Sequence, residues 1–288
     1  QREENRRMAA ENARLQDEIN NLRGRMDGIE PRVTEIDQSR IQSELAQIER
    51  EINEEAARAA RAKQDMASAI ADIARPALLD INFGCPVKNV VVRGAGAGVL
   101  KDLDLMIRLT SACVRSTPLP VTVKTRLGWD DNSKNIAEAA ERLQDAGIKA
   151  LSIHGRTRCQ MYKGAADWQL IGEVKNNPRI HIPVFGNGDI SSPQKALDYK
   201  NKYGVDGIMI GRAAIGHPWI FREIKQFMET GEPAPPPTVA ERISVCKDHL
   251  ARSIAWKGEG KGMYAMRGKY AGYLRGLPGI SAFTKRLM

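Results

Sequence analysis

The sequence predicts an α/β fold of the (β/α)8 TIM-barrel type, incomplete at five βα units. A long α-helical, coiled-coil-like segment precedes them and a helical domain follows. Three observations carry this reading: composition breaks at Pro76, β-type runs alternate with amphipathic runs beyond it, and each β-type run ends in glycine or polar residues. The 288 residues are enough for one large core or two ordinary ones.

Residues 1–76 hold 13 basic and 16 acidic side chains and no Phe, Tyr or Trp. Residues 77–288 hold 31 basic and 19 acidic side chains and all 15 aromatics, so the whole-chain charge of +9 hides −3 followed by +12. In the first part, apolar residues fall at Leu15, Ile19, Leu22, Met26, Ile29, Val33 and Ile36, in steps of four and three, and the pattern resumes at Ile41, Leu45, Ile48 and Ile52. That is a heptad seam. Asp27-Gly28 followed by Pro31 stops one helix and starts another. Two helices are expected, about 3–26 and 31–74, as a hairpin or a kinked coiled coil through which the chain would oligomerise. The acid excess and missing aromatic anchors disfavour a membrane-surface helix.

Beyond Pro76, strands are expected at Ala77–Asn82, Leu119–Thr125, Ala150–His154, His181–Gly186 and Gly207–Gly211. Helices are expected at Lys101–Ser116, Asn135–Ala146, Trp168–Asn176, Pro193–Tyr203 and Pro218–Glu229. Alternation of this kind builds βα units around a parallel sheet. Pro233-Ala234-Pro235-Pro236-Pro237 is a stiff linker. The domain after it, 238–288, mixes Lys and Arg with Trp256, Tyr264, Tyr270 and Tyr273. Three domains follow: 1–76, 77–232 and 238–288.

Other classes fall away. No apolar run approaches the roughly 20 residues of a membrane span, and Gln1-Arg2-Glu3-Glu4 lacks an apolar signal core. Four cysteines at 85, 113, 159 and 246, with no CxxC pair, make neither a disulfide scaffold nor a zinc site. No metal is expected, and a cytoplasmic location fits best.

Function in parallel sheets collects where strands end. The first strand runs into Asn82-Phe83-Gly84-Cys85-Pro86 and then Gly94-Ala95-Gly96-Ala97-Gly98; the second ends in Lys124-Thr125-Arg126-Leu127-Gly128. The third gives His154-Gly155-Arg156-Thr157, the fourth Gly186-Asn187-Gly188-Asp189-Ile190, the fifth Ile210-Gly211-Arg212-Ala213. Glycines after two consecutive late strands, one beside Arg212, let backbone N–H groups approach an oxyanion, which points to a phosphorylated ligand. A lysine, an imidazole and a thiol at the other strand ends suit redox or proton-transfer chemistry on a heterocycle. Each also has a plain reading: Lys124 as a solvated strand end, His154 as a core histidine, Cys85 as a small buried hydrophobe.

Taken in order, the stretches Asn82–Pro86, Val123–Gly128, Ile153–Thr157, Gly186–Ile190 and Ile210–Gly216 resemble the tRNA-dihydrouridine synthases, most closely their bacterial B branch. The resemblance runs from about Leu79 to the end. It implies an FMN-binding barrel with a helical tRNA-binding domain, and reduction of a uridine in tRNA to 5,6-dihydrouridine with NADPH as reductant. It implies Cys85 as the acid that protonates C5. Lys124 and His154 would hold the flavin ring, and Gly186, Asn187, Gly188, Asp189, Gly211 and Arg212 its phosphate. Asn82, Arg126 and Arg156 would face the substrate. By the same analogy the five strands are the fourth to eighth of a barrel, and residues 1–76 stand where three units belong. Two other readings remain open: an FMN dehydrogenase of a free pyrimidine, of the dihydroorotate type, and an inactive fusion that serves as an oligomeric RNA-binding scaffold.

Overall fold

A computed structural model describes residues 35–277, so the expected helix 3–26 lies outside the described residues. The chain divides into two compact units, 1–58 and 59–288, each considered by itself. Helix α1, Glu35–Ala74, runs through the division. It agrees with the expected second helix, since no Pro or Gly interrupts it. In the first unit, Leu45 and Ile48 of the heptad seam are exposed. In the second, seam positions continue at Ala59, Ala62, Met66, Ala69 and Ile73, all exposed. A different side of the same helix, through Ala60 and Ala67, packs into the core.

The second unit is built on a five-stranded parallel sheet in the order β1-β2-β3-β4-β5. The strands are β1 Leu79–Asn82, β2 Val121–Arg126, β3 Ala150–His154, β4 Val184–Asn187 and β5 Gly207–Met209. All five expected strands form. The fourth starts three residues late because Pro183, without an N–H, cannot join the ladder, and its carbonyl instead accepts from Leu151 N–H at 3.0 Å. Helices α2 Lys88–Val91, α3 Leu103–Ser116, α4 Ile136–Asp145, α5 Gln169–Lys175, α6 Pro193–Tyr203 and α7 Ile220–Thr230 lie between or after the strands. Their starts are chemically marked: Asp102 Oδ1 accepts from Leu105 N–H, and Ser192 caps α6 ahead of Pro193.

Register and alternation split the sheet into two faces. Ile81, Val123, Leu151, Ile153 and Val184 are buried in the main core with Met106, Leu109 and Cys113 of α3 and Ala140 and Leu143 of α4. The alternate positions Asp80, Asn82, Thr122, Lys124, Phe185 and Asn187 are exposed or half-buried. The core therefore lies between sheet and helices, and the opposite face carries polar groups.

After the proline-rich linker, α8 Val239–Lys257 and α9 Glu259–Tyr273 pair around Met266, Tyr273 and Leu274. Thr238 and Glu241 form a capping box at the start of α8, and Arg242 donates to the Tyr273 and Arg275 carbonyls at the end of α9. Gly216, after β5, meets Gly272 so closely that a Cβ on it would lie 2.6 Å from the Gly272 Cα.

Candidate functional site

The carboxyl ends of all five strands converge on one cleft of about 810 Å³, within the size range of small-molecule sites. Asn82 and Cys85 come from β1 and its loop, Lys124 and Arg126 from β2, His154 from β3, Asn187, Gly188 and Asp189 from β4, and Gly211 and Arg212 from the β5 loop. Tyr162 and Lys195 complete the polar lining. Among the described residues, four basic side chains and one carboxylate line it, so the cleft favours an anion.

Local chemistry explains each placement. Asn82 Oδ1 accepts from Gly84 N–H at 2.9 Å, turning the chain at the end of β1 and leaving the Asn82 amide over the cleft. Ala97 N–H donates to the Cys85 carbonyl at 2.9 Å. Gly96, at φ 55°, lies so close beneath that a Cβ would meet that oxygen at 2.8 Å. The glycine-rich run thus seats the loop that presents the half-buried Cys85 thiol. Lys124 is held below its ordinary lysine pKa by burial and then by Arg126, with Asp80 and Cys85 opposing. His154 is pushed down to about 3 by burial and by Arg126, Lys124 and Arg156, so it is a neutral imidazole at physiological pH.

Several expectations change at this point. Gly186 does not line the cleft: it faces the Trp168 ring, and a side chain there would run into the indole. Its lack of a Cβ serves packing, while the neighbouring Gly188 (φ 130°) and Gly211 border the cleft. Arg156 does not line the cleft. It is 2% exposed and binds both Asp189 oxygens at 2.8 and 2.7 Å. Arg126 lines the cleft, but its guanidinium donates to the carbonyls of Gly84, Thr157 and Met161 at 2.8, 2.9 and 2.9 Å. Asp189 reaches the cleft as a carboxylate, so it is an anchor for Arg212, 3.0 Å away, rather than a ligand for phosphate. Burial alone would raise the pKa of Asp189; hydrogen bonds from Arg156 and Ala166 N–H and the charges of Arg156 and Arg212 hold it below the usual carboxylate range.

Tyr162 was not singled out by the sequence. Its ring lies 5.1 Å from the Arg212 guanidinium and 5.8 Å from that of Arg126, bridging opposite sides of the cleft. Only its place eight residues after His154, in a loop pinned by two buried arginines, could have marked it.

The dihydrouridine synthase family model matches residues 34–288. The chain belongs to the dihydrouridine synthase family. It is 41% identical over 206 residues to "Probable tRNA-dihydrouridine synthase" of Rickettsia conorii, covering 72% of this chain and 62% of that protein. It is 43% identical to "tRNA-dihydrouridine synthase B" of Pseudomonas aeruginosa over 206 residues, 72% of this chain and 61% of that one. With "Probable tRNA-dihydrouridine synthase 1" of Synechocystis, identity is 42% over 209 residues, 73% and 58%. The chain thus spans about three-fifths of the length of these dihydrouridine synthases. The family match starts at residue 34, one residue before α1, so the whole of that helix lies in the matched range, further upstream than the resemblance from Leu79.

A flavin mononucleotide fits what is present. Gly211 has open space where a Cβ would stand, next to the half-exposed Arg212, and Gly188 brings backbone to the same wall. Lys124 and a neutral His154 line the same cleft, polar groups of a kind that could bind a ring edge. Among the described residues, no group of His, Cys, Asp and Glu could hold a metal ion, and no helix is long and apolar enough to cross a membrane.

Proposed function

We propose that this chain carries the catalytic strand ends of an FMN-dependent tRNA-uridine reductase, in which its sheet forms the back five units of a (β/α)8 barrel. The observation that carries the reading is the meeting of Cys85, Lys124, His154 and Arg212 from four strand ends on one anion-favouring cleft, in a chain of the dihydrouridine synthase family. Bound FMN, recharged by NADPH, supplies the hydride delivered to C6 of the uracil ring.

The chain's own groups do the rest. Asn187, Gly188, Gly211 and Arg212 would border the phosphate, Arg212 through charge and the exposed Gly211 through its backbone. Lys124 would offer positive charge to the flavin ring, and its partial burial would strengthen that interaction. Cys85 gives a proton to C5 as negative charge develops there, and the Asn82 amide orients the uracil beside it. A uridine in folded RNA must leave its stack to reach these groups, at a cost of a few kcal/mol. Exposed Trp256 with Lys257 at 4.8 Å, and Tyr264 with Arg267 at 5.5 Å, give the paired helices α8 and α9 stacking faces beside cations for a tRNA partner. The exposed seam on α1 supports an oligomer through residues 1–76. A cytoplasmic location suits the tRNA substrate and the four unpaired cysteines.

The test is direct. Purified protein titrated with FMN is expected to bind it and to convert uridine in unmodified tRNA when NADPH is supplied. Cys85→Ala should keep flavin reduction and lose most uridine reduction. A protein that cannot be loaded with FMN would support the RNA-binding scaffold reading instead.

A further inference from the structure

We propose that Arg156 is a positioning residue: it fixes His154 as the Nδ1–H tautomer, and through Asp189 it sets the pose of Arg212. Arg156 Nη1 and His154 Nε2 lie 3.4 Å apart in the buried interior. A guanidinium has five N–H donors and no acceptor. An N–H on Nε2 would point donor at donor, so Nε2 must present its lone pair. Burial and three neighbouring cations keep the ring from taking a second proton. Its single proton therefore resides on Nδ1.

Arg156 can impose this because it cannot turn. Its Nε donates to the Lys163 carbonyl at 3.1 Å and its Nη2 to the Gly164 carbonyl at 2.6 Å and to both Asp189 oxygens. Asp189 is fixed in turn. Its backbone holds a left-handed φ of 55°, its Oδ2 accepts from Ala166 N–H at 2.8 Å, and its Oδ1 receives Arg212 Nη2 at 3.0 Å. Arg212 is thereby tethered at one nitrogen, with its remaining donors available at the cleft wall.

The consequence is a rule of recognition. A ligand atom that meets Nδ1 of His154 must carry a lone pair, as a carbonyl oxygen or an imine-type nitrogen does, and a ligand presenting N–H to that nitrogen is rejected. Applied to a flavin, this says which kind of ring edge faces His154; that clause rests on the flavin reading, whereas the tautomer does not.

The test is a long-range ¹H–¹⁵N correlation spectrum of the full chain labelled with ¹⁵N-histidine, with no ligand added. His154 is assigned by the loss of its signals in His154→Gln. The expected pattern is a protonated Nδ1 and an unprotonated Nε2, unchanged from about pH 8 to about pH 5, where an ordinary histidine titrates. A protonated Nε2 in the wild-type spectrum overturns the proposal without any variant. In Arg156→Met the Nε2 signal should shift to the protonated region, and in Arg156→Lys, which keeps a donor, it should return; an Nδ1–H tautomer that survives Arg156→Met also overturns it. In a second sample labelled with ¹⁵N-arginine, Asp189→Asn should increase the fast motion of the Arg212 Nε–H vector, and unchanged relaxation there removes the second half of the proposal. Failure of the wild type to bind FMN would sink the flavin reading and leave the histidine spectrum as it is, so the two readings fail separately.

Discussion

The two faces of the sheet are made by the same five strands and yet answer to different physics. On the helix-covered face Ile81, Val121, Val123, Leu151, Ile153 and Val184 are all within 7% of full burial. On the other face, one residue along each strand, stand Asp80, Asn82, Thr122, Lys124 and Asn187. Stability resides in the first set and chemistry in the second, because alternation gives each strand one side for each. The layered core is closed by the helices that follow the strands, together with Ala60 and Ala67 of α1, which precedes them. Edge ladders at β1 and β5 are a separate matter, since side-chain packing does not satisfy backbone groups.

The sharpest way to break this contrast is to cross it. Leu151→Ala removes a fully buried side chain between sheet and helices, and a loss of about 2–5 kcal/mol is expected in urea unfolding. Ser152→Ala, its neighbour on the other face, should change stability by less than about 0.5–1 kcal/mol. Equal losses would show that the core is not confined to one face.

Acid tests the site face through His154. Its folded pKa of about 3 lies below the ordinary 6.5, so between these values the unfolded chain binds a proton that the folded one does not. Stability is then present above about pH 6.5 and falls with acid by about 1.4 kcal/mol for each pH unit. His154→Gln should flatten that part of the urea-midpoint profile. A wild-type slope of zero between about pH 6 and about pH 4 would mean that the ring is not held neutral by its surroundings.

Much of the fold was legible because strands ended in glycine or polar residues and helices began at caps. All five strands and the five helices α3 to α7 were expected, Ala150–His154 to the residue, whereas the one-turn α2 at Lys88–Val91 was not. Side-chain direction was harder to read. Parallel strands buried on one face and lined by a site on the other give weak alternation, so Gly186 and Gly188 look alike in sequence while one faces an indole and the other the cleft. Arg156 and Arg212 both follow strand ends, and only the three-dimensional placement of Asp189 separates the buried anchor from the half-exposed one. Tyr162 escaped notice because loops carry no periodicity to mark which ring turns inward.

Gly186→Ala sharpens the difference between those glycines. A methyl at 186 enters the Trp168 ring, which is already packed edge-on against Tyr199 at 4.9 Å, so about 1–3 kcal/mol should be lost. FMN affinity, measured by quenching of flavin fluorescence, should be reduced far less than by Arg212→Ala. A G186A protein as stable as wild type would place the indole elsewhere.

Lys124 gives the smallest effect and the one of opposite sign. Its ammonium is taken partly out of water, and burial followed by the repulsion of Arg126 lowers its pKa. A base with a depressed folded pKa costs stability wherever both states are protonated, which includes neutral pH, and that cost disappears as pH rises through the folded pKa toward the ordinary lysine value. Lys124→Met keeps the stem and removes the charge, so it should raise the urea midpoint at neutral pH, by an amount equivalent to roughly 0.5–1 kcal/mol, while abolishing the cation beside the flavin edge. The gain should shrink in alkaline solution as the wild-type amine deprotonates. A variant less stable than wild type would mean that Lys124 is held by its partners Asp80 and Cys85 rather than tolerated for its function, and the division of labour between the two faces would not extend to the middle of the sheet.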